Sequence, residues 1–178
     1  GPVPLAYIAH DLNTASGGNF VLGLGPQVKT HIERRFGMEW SDPVGRLRET
    51  VLAIRAVWDC WATNAPLDFK GEHYKLSLMP PNFRPEPTPH APPPICLAAV
   101  GPKMSEMAGE VADGLFIHAF ATPDYVRHVI LPAVERGLAK SGRSRKQFQM
   151  IYSGFVAVSS DPKALAEARN SVAFYAST

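Results

Sequence analysis

The sequence predicts an α/β protein built on a parallel sheet, and three observations carry that prediction. Short apolar runs alternate with segments of helical periodicity, the apolar runs are nearly continuous, and glycine or proline marks most junctions. Strands covered on both faces read as unbroken apolar runs, and strand–helix alternation is the pattern of parallel crossovers. The 178 residues, 46% hydrophobic and 19% charged, suffice for one domain with its own core, taken here as residues 1–178.

The elements follow in order. Leu5 to Ala15 puts Leu5, Ile8, Ala9, Leu12 and Ala15 on one helical face. Ser16-Gly17-Gly18-Asn19 ends that helix, because glycine readily takes the left-handed cap conformation. Phe20 to Gly25 is the first strand. Ser41-Asp42-Pro43 opens the next helix: Ser41 or Asp42 can cap the free amides, and Pro43 suits the first turn. Leu47, Val51, Ile54, Trp58 and Trp61 then recur at four- and three-residue spacing, a stripe that reads as core packing. Leu67 to Leu78 reads as a hairpin turning at Gly71. Pro80 to Pro94 holds eight prolines, which excludes a regular helix or a central strand and predicts an extended surface crossing. Alternation then resumes with a strand over Ile95–Val100, a helix over Lys103–Ala112 and a strand over Leu115–Ala119. A helix over Pro123–Ser141 containing Pro132, a strand over Gln149–Val158 and a last helix from Ser160-Asp161-Pro162 to Tyr175 complete the chain. The four long strands are expected to pair in parallel in chain order, with helices on one outer side.

Composition narrows the function classes. A net charge of +2 with scattered basic residues does not suggest a nucleic-acid partner. The short run Arg143, Arg145, Lys146 reads as a solvated loop. Cys60 and Cys96 lie among apolar neighbours, outside any CxxC or Cys/His cluster, so they read as buried structural thiols and no zinc site is expected. No stretch approaches the ~20 apolar residues of a membrane span, and no leader is visible, so the expectation is a soluble cytoplasmic protein.

The stretch with most chemical content runs from Ile95 to Gly114. A buried strand ends in a tight turn at Gly101 and feeds directly into a helix, whose first amides lack internal acceptors and sit at the positive end of the dipole. That arrangement suits a phosphate. Locally, a glycine chosen for the turn is the first reading and a phosphate cradle the second; the small pair Ala98-Ala99 favours the cradle by leaving room. Gly23-Leu24-Gly25-Pro26 forms a second glycine-rich turn, followed by Gln27, Lys29, Thr30 and His31. It is no dinucleotide fingerprint, because GxGxxG is absent, and a plain surface loop serves equally well. His118 closes its strand at the end that faces the site in parallel α/β folds. There a structural histidine is the first reading and a proton donor the second. Glu106 and Glu110 read as a solvated stripe, and Asp113-Gly114 as a helix-to-strand turn. Serine-elbow, Walker and HExxH motifs are missing.

Three segments together resemble the luciferase-like monooxygenase superfamily, in its actinobacterial branch dependent on coenzyme F-420 (F420), a deazaflavin. They are Ser16-Gly17-Gly18-Asn19-Phe20-Val21-Leu22-Gly23-Leu24-Gly25, His31-Ile32-Glu33-Arg34-Arg35-Phe36-Gly37, and Ala98-Ala99-Val100-Gly101-Pro102 through Ala108-Gly109-Glu110-Val111-Ala112-Asp113-Gly114. The resemblance implies a (β/α)8 TIM-type barrel with cofactor across the C-terminal strand ends. This chain would be a partial barrel of about four strands, lacking the first three and the eighth, with residues 66–94 as a proline-rich insertion at the substrate mouth. It implies a phosphate cradle at Val100, Gly101, Lys103 and Met104 with Ala99 beside it, and Gly25, Gln27 and Thr30 nearer the cofactor tail. The missing strands would carry the catalytic acid or histidine, so no catalytic residue is assigned. A proteolytic fragment, a deliberately expressed piece and a truncated gene product would read alike.

The expected activity of the parent protein is hydride transfer between F420 and a small organic substrate. One alternative is an FMN-dependent monooxygenase. The other is a non-catalytic half-barrel that binds cofactor or self-associates. Open strand edges and an uncovered apolar sheet face point to a homo-oligomer.

Overall fold

The computed structural model describes residues 1–176. From its start the chain forms helix α1 (Pro2–Ala15), strand β1 (Leu22–Leu24), a π-helical turn (His31–Arg35), helix α2 (Pro43–Thr63) and a hairpin of β2 (Phe69–Lys70) and β3 (Lys75–Leu76). Strand β4 (Ile95–Ala99), helix α3 (Pro102–Val111) and strand β5 (Gly114–Ile117) follow. Helix α4 (Pro123–Tyr125) runs through π-helical Val126–Ile130 into α5 (Leu131–Lys140), and β6 (Gln149–Tyr152) and α6 (Pro162–Ala176) close the chain.

β1, β4, β5 and β6 form one four-stranded sheet in that order, with every neighbouring pair parallel, as the alternation predicts. The architecture is α/β with part of a TIM-type barrel, and the barrel is not closed. Register puts Leu24, Leu97, Leu115 and Met150 in one row across the sheet. With Leu22, Ile95, Ala99 and Ile117 they join the core formed with Ala6 and Ala9 of α1, Val51 and Ile54 of α2, Met107 of α3 and Val134 of α5. The alternate residues point the other way. On that face Gly23 and Ala98 are exposed, and Phe116 and Ile151 are half-buried.

Helix ends follow local chemistry. Asp42, in a left-handed conformation with φ 37°, accepts from the Gly45 amide at 3.1 Å and is the cap of α2; Ser41 instead accepts from Arg46. α1 begins at Pro2, a turn before the Leu5 expected from periodicity, since proline fits a first turn. Pro132 does not break its helix: it falls in the first turn of α5, just after the wider π segment. The hairpin turns at Gly71, whose amide donates to the Tyr74 carbonyl at 2.8 Å. Glu49 of α2 holds that turn by accepting from the amides of Glu72 (2.7 Å), His73 (2.9 Å) and Tyr74 (3.1 Å). The proline-rich stretch 80–94 carries one 3₁₀ turn, Pro81–Phe83, and otherwise has no regular structure.

Several expectations are corrected. β1 covers 22–24 rather than 20–25, β5 stops at Ile117 rather than Ala119, and β6 stops at Tyr152 rather than Val158. A strand lasts only as long as its neighbour, and Tyr152 already pairs with the last residue of β5. Glu106 and Glu110 are not a solvated stripe. Glu106 accepts from Arg136 at 2.9 Å and pairs with Lys140 at 2.7 Å, tying α3 to α5, while Glu110 takes the Arg48 guanidinium of α2. Arg143 does not lie in a solvated loop either: it donates to the carbonyls of Ala112 (2.8 Å) and Gly109 (2.6 Å), closing the C-terminal end of α3. Asp113 is more than a turn residue, because its Oδ2 accepts from the Ile95 amide and from Arg55, each at 2.8 Å.

Cys60 and Cys96 are buried free thiols. Burial, reinforced by the Asp113 charge, pushes the Cys96 thiol up from its ordinary range. Among the described residues no helix is long and apolar enough to cross a membrane. None of their His, Cys, Asp and Glu side chains gather in a group of three able to hold a metal ion.

α3 and α5 cross with backbone against backbone. A Cβ on Gly109 would run into the Val134 carbonyl, and one on Gly137 into the Glu106 carbonyl. Gly137→Ala therefore has no free volume to occupy and should destabilise the protein by about 1–3 kcal/mol, read as a lowered urea midpoint. The Glu106 clamp predicts a pH signature. Hydrogen bonds from Lys140 and then Arg136 hold the Glu106 carboxyl below its usual 4.5. The unfolded chain then takes up the proton at higher pH than the folded one, so the clamp contributes fully above that range. Its contribution is lost as pH falls through the lower folded-state value. Melting temperatures of the parent and Glu106→Gln should differ at neutral pH and converge in acid; a gap that persists or widens in acid would contradict the assignment.

Candidate functional site

The C-terminal edge of the sheet gathers the features that can hold a ligand. β4 ends at Ala99, Val100 stands 58% exposed, and Gly101 is the N-cap of α3. No side chain caps this helix, Pro102 has no amide hydrogen, and its opening backbone bond runs from the Ser105 amide to the Gly101 carbonyl at 3.0 Å. The Lys103 and Met104 amides thus have no acceptor within the helix and sit at the positive end of its dipole. Gly101 has φ −88° and ψ 164°, a conformation open to any residue. A Cβ there would meet nothing within 4 Å. Neither φ nor packing among the described residues requires glycine at this position. Bare backbone is what a closely approaching ligand needs.

Two adjoining cavities flank this turn. One of about 320 Å³ is walled by Val100, His118, Phe120, Thr122, Tyr125 and Ile130. The other, about 220 Å³, is walled by Ala98, Phe116, His118, Ser153 and Tyr175 among others, on the side of the sheet's open face. His118 belongs to both. Its Nδ1 accepts from the Phe120 amide at 3.2 Å, which puts the proton of the neutral ring on Nε2. The ring also stacks on Tyr175 at 6.3 Å and leans on Phe120 at 5.4 Å. Tyr125 donates to the Val100 carbonyl at 3.1 Å, and Thr122 caps the helix that carries Tyr125 by accepting from its amide at 3.2 Å.

The structure brings together most residues expected from sequence. Ala99, Val100, Gly101, Lys103 and Met104 lie on one strand-to-helix turn. Their contributions differ. Ala99 and Met104 turn their side chains into the core and can offer only backbone, whereas the Lys103 side chain is exposed and makes no ion pair among the described residues. Gly25 lies beside Ala98, where an added Cβ would come within 3.3 Å of the alanine Cβ. Gln27 and Thr30 line neither cavity. Gln27 is left-handed at φ 62° with its side chain on the Val28 amide, and Thr30 precedes the π-helical turn. Phe120, Thr122 and Tyr125 escaped the sequence reading. The only local signal was the Thr-Pro pair at 122–123, a helix-start pattern that says nothing about a cavity.

Comparison with known proteins is consistent with this geometry. A sequence model of the family described as luciferase-like monooxygenase matches residues 1–178. An uncharacterized protein of Mycobacterium tuberculosis is 45% identical over 181 residues, covering 99% of this chain and 53% of the relative. The 5,10-methylenetetrahydromethanopterin reductase of Archaeoglobus fulgidus is 35% identical over 174 residues, covering 97% and 49%. The chain spans about half the length of the curated relatives it matches. In fold it is similar to the coenzyme F420-dependent tetrahydromethanopterin reductase of Methanopyrus kandleri, with a TM-score of 0.73 at 21% identity over 98% of this chain and 52% of that one.

Because neither φ nor packing among the described residues requires glycine at position 101, Gly101→Val should leave folding nearly intact. A loss of at most about 1 kcal/mol from the poorer N-cap is expected, against the larger loss at Gly137. Urea unfolding of the two variants side by side measures the contrast; equal losses would mean that Gly101 is a packing residue.

Proposed function

The chain belongs to the luciferase-like monooxygenase family, and from that premise we propose that its protein moves hydride between F420 and a small organic substrate, with the start of α3 holding the cofactor's phosphate. The observation that carries the reading is the uncapped helix start at Gly101, where bare backbone and two free amides face open space beside the Val100–His118 cavity. An anionic phosphate fits such a start without further charged groups. Relatives named as F420-dependent support the choice of cofactor. They include a putative coenzyme F420-dependent oxidoreductase of Mycobacterium tuberculosis and the F420-dependent glucose-6-phosphate dehydrogenase of Kineococcus radiotolerans.

When bound, the deazaflavin supplies a two-electron hydride carrier; the protein supplies position and surroundings. The Gly101–Met104 backbone and the Lys103 charge hold the phosphate, with Ala99 and Val100 leading the chain into place. Gly25, just after β1 and beside Ala98, with Gln27 and Thr30 on the loop that follows, would line the cofactor nearer its tail. Val100, Phe120 and Ile130 would give the cavity apolar walls, and His118 would offer one N–H donor from the wall shared by both spaces. Within a single domain, the hairpin of the 66–94 insertion, fastened near the start of α2, would shape the substrate mouth, whereas its proline-rich part lies against the last turns of α1 and α2 and leads into the start of β4. No residue of this chain is assigned as catalytic base.

The test uses the full-length protein, titrated with F420 and with FMN by fluorescence quenching. Gly101→Val should weaken F420 binding roughly tenfold or more, ~1.4 kcal/mol, while its stability changes little. Lys103→Ala should cost less, because an exposed charge is screened by salt. Unchanged F420 affinity in Gly101→Val would reduce the loop to a structural turn. Turnover with F420 should proceed without oxygen uptake; tighter binding of FMN together with oxygen consumption would identify a flavin monooxygenase instead.

A further inference from the structure

Glycine has more backbone freedom than any other residue, yet both peptide units that flank Gly101 are held. On the following side, the Gly101 carbonyl accepts from the Ser105 amide and from the Ser105 hydroxyl, each at 3.0 Å, and Ser105 is fully buried. On the preceding side, the Val100 carbonyl accepts from the Tyr125 hydroxyl at 3.1 Å. The Ser105 bonds arise within α3 itself. The Tyr125 bond comes from a different helix, 25 residues along the chain.

Tyr125 is well placed to hold that carbonyl. Its ring is half-buried against the core, and its amide donates to Thr122 Oγ1 at 3.2 Å, the cap of the turn that carries it. That turn is tied to the end of β5, where the Ala121 amide donates to the His118 carbonyl at 2.9 Å. The hydroxyl has one proton, and it is spent on Val100, so an anion nearby gains no hydrogen bond from Tyr125.

The Val100–Gly101 peptide is trans, and in a planar trans peptide the C=O and N–H point in opposite directions. Holding the Val100 carbonyl toward Tyr125 therefore turns the Gly101 N–H away from it. That amide has no acceptor among the described residues. Granted that the start of α3 holds the cofactor's phosphate, the reading on which this rests, we propose that Tyr125 is a positioning residue of the phosphate cradle. It keeps the negative edge of this peptide turned from the anion and leaves the N–H edge available to it. Phosphate then binds without having to order the most flexible residue of the turn.

The experiment uses the full-length protein and two pieces of the cofactor, one cut just after its phosphate and one just before it, titrated by fluorescence quenching. The parent should bind the phosphorylated piece roughly tenfold more tightly, or better. Equal affinities would sink the phosphate reading, and this inference with it. Tyr125→Phe keeps the ring and loses only the hydroxyl. It should bind the phosphorylated piece roughly three- to tenfold more weakly, the effect of one hydrogen bond, and the phosphate-free piece as the parent does. A phosphate preference that survives intact in Tyr125→Phe overturns the positioning role alone. Equal weakening of both pieces overturns it too, by making Tyr125 a plain wall of the cavity. A second readout separates positioning from direct contact. With ¹⁵N-glycine labelling, the Gly101 amide signal, identified by its absence in Gly101→Ala, should move when the phosphorylated piece saturates the parent, and move less in Tyr125→Phe. A full shift at saturation in Tyr125→Phe would mean that the hydroxyl meets the ligand itself, against the proposal. A Gly101 signal that stays still in the parent overturns it without any variant.

Discussion

Gly109 and Gly137 let α3 and α5 approach until backbone meets backbone, and the other restraints on α3 are arranged around that contact. Around it, Glu106 reaches Arg136 and Lys140 on α5, Glu110 reaches Arg48 on α2, and Arg143 covers the last carbonyls of α3. Ile95 and Asp113 tie the start of β4 to the end of the same helix. Every one of these restraints acts on the middle or the C-terminal end of α3. The N-terminal end, with Gly101 and the free amides of Lys103 and Met104, is left unoccupied by the chain itself. A ligand-binding end is rigid when the rest of its element is held elsewhere, because binding then orders little that was not already ordered.

The sheet has two unequal faces. Toward the helices, Leu22, Ile95, Leu97, Leu115 and Ile117 are packed at close to zero exposure. Toward the other side Gly23 and Ala98 are exposed and Phe116 and Ile151 half-buried, beside buried Cys96, and Tyr175 shares a cavity wall with Ala98 and Phe116. In a parallel α/β barrel the strands' inner side chains fill the interior in layers.

Much of the fold was legible because parallel strands announce themselves as apolar runs. Ile95–Ala99 and Gly114–Ile117 needed no tertiary information. Strand ends did need it: Ser153-Gly154 is only a weak local break, and β6 stops at Tyr152, opposite the last residue of β5. The acidic pair on α3 was misread for the same reason, since the partners of Glu106 lie on a helix 30 or more residues away. Arg143 looked like part of a charged loop because the carbonyls it covers are remote in sequence. At the candidate site the turn was visible but its meaning was not. Local sequence cannot tell a glycine needed for its φ from one needed for its lack of a side chain, and the extended conformation of Gly101 removes only the first reason.

The hairpin at 69–76 is fastened to α2 and not to the sheet. Glu49 takes the amides of its turn, Asp42 meets His73 at 3.0 Å, and Thr50 meets Tyr74 at 3.3 Å. Its two strands pair only with each other. Such a ribbon can be exchanged as a cassette: a different length or composition between 70 and 75 would alter what stands over the helix while every strand of the main sheet kept its partner. Variation concentrated there would let related proteins diverge in what they admit without renegotiating the register of Leu24, Leu97, Leu115 and Met150.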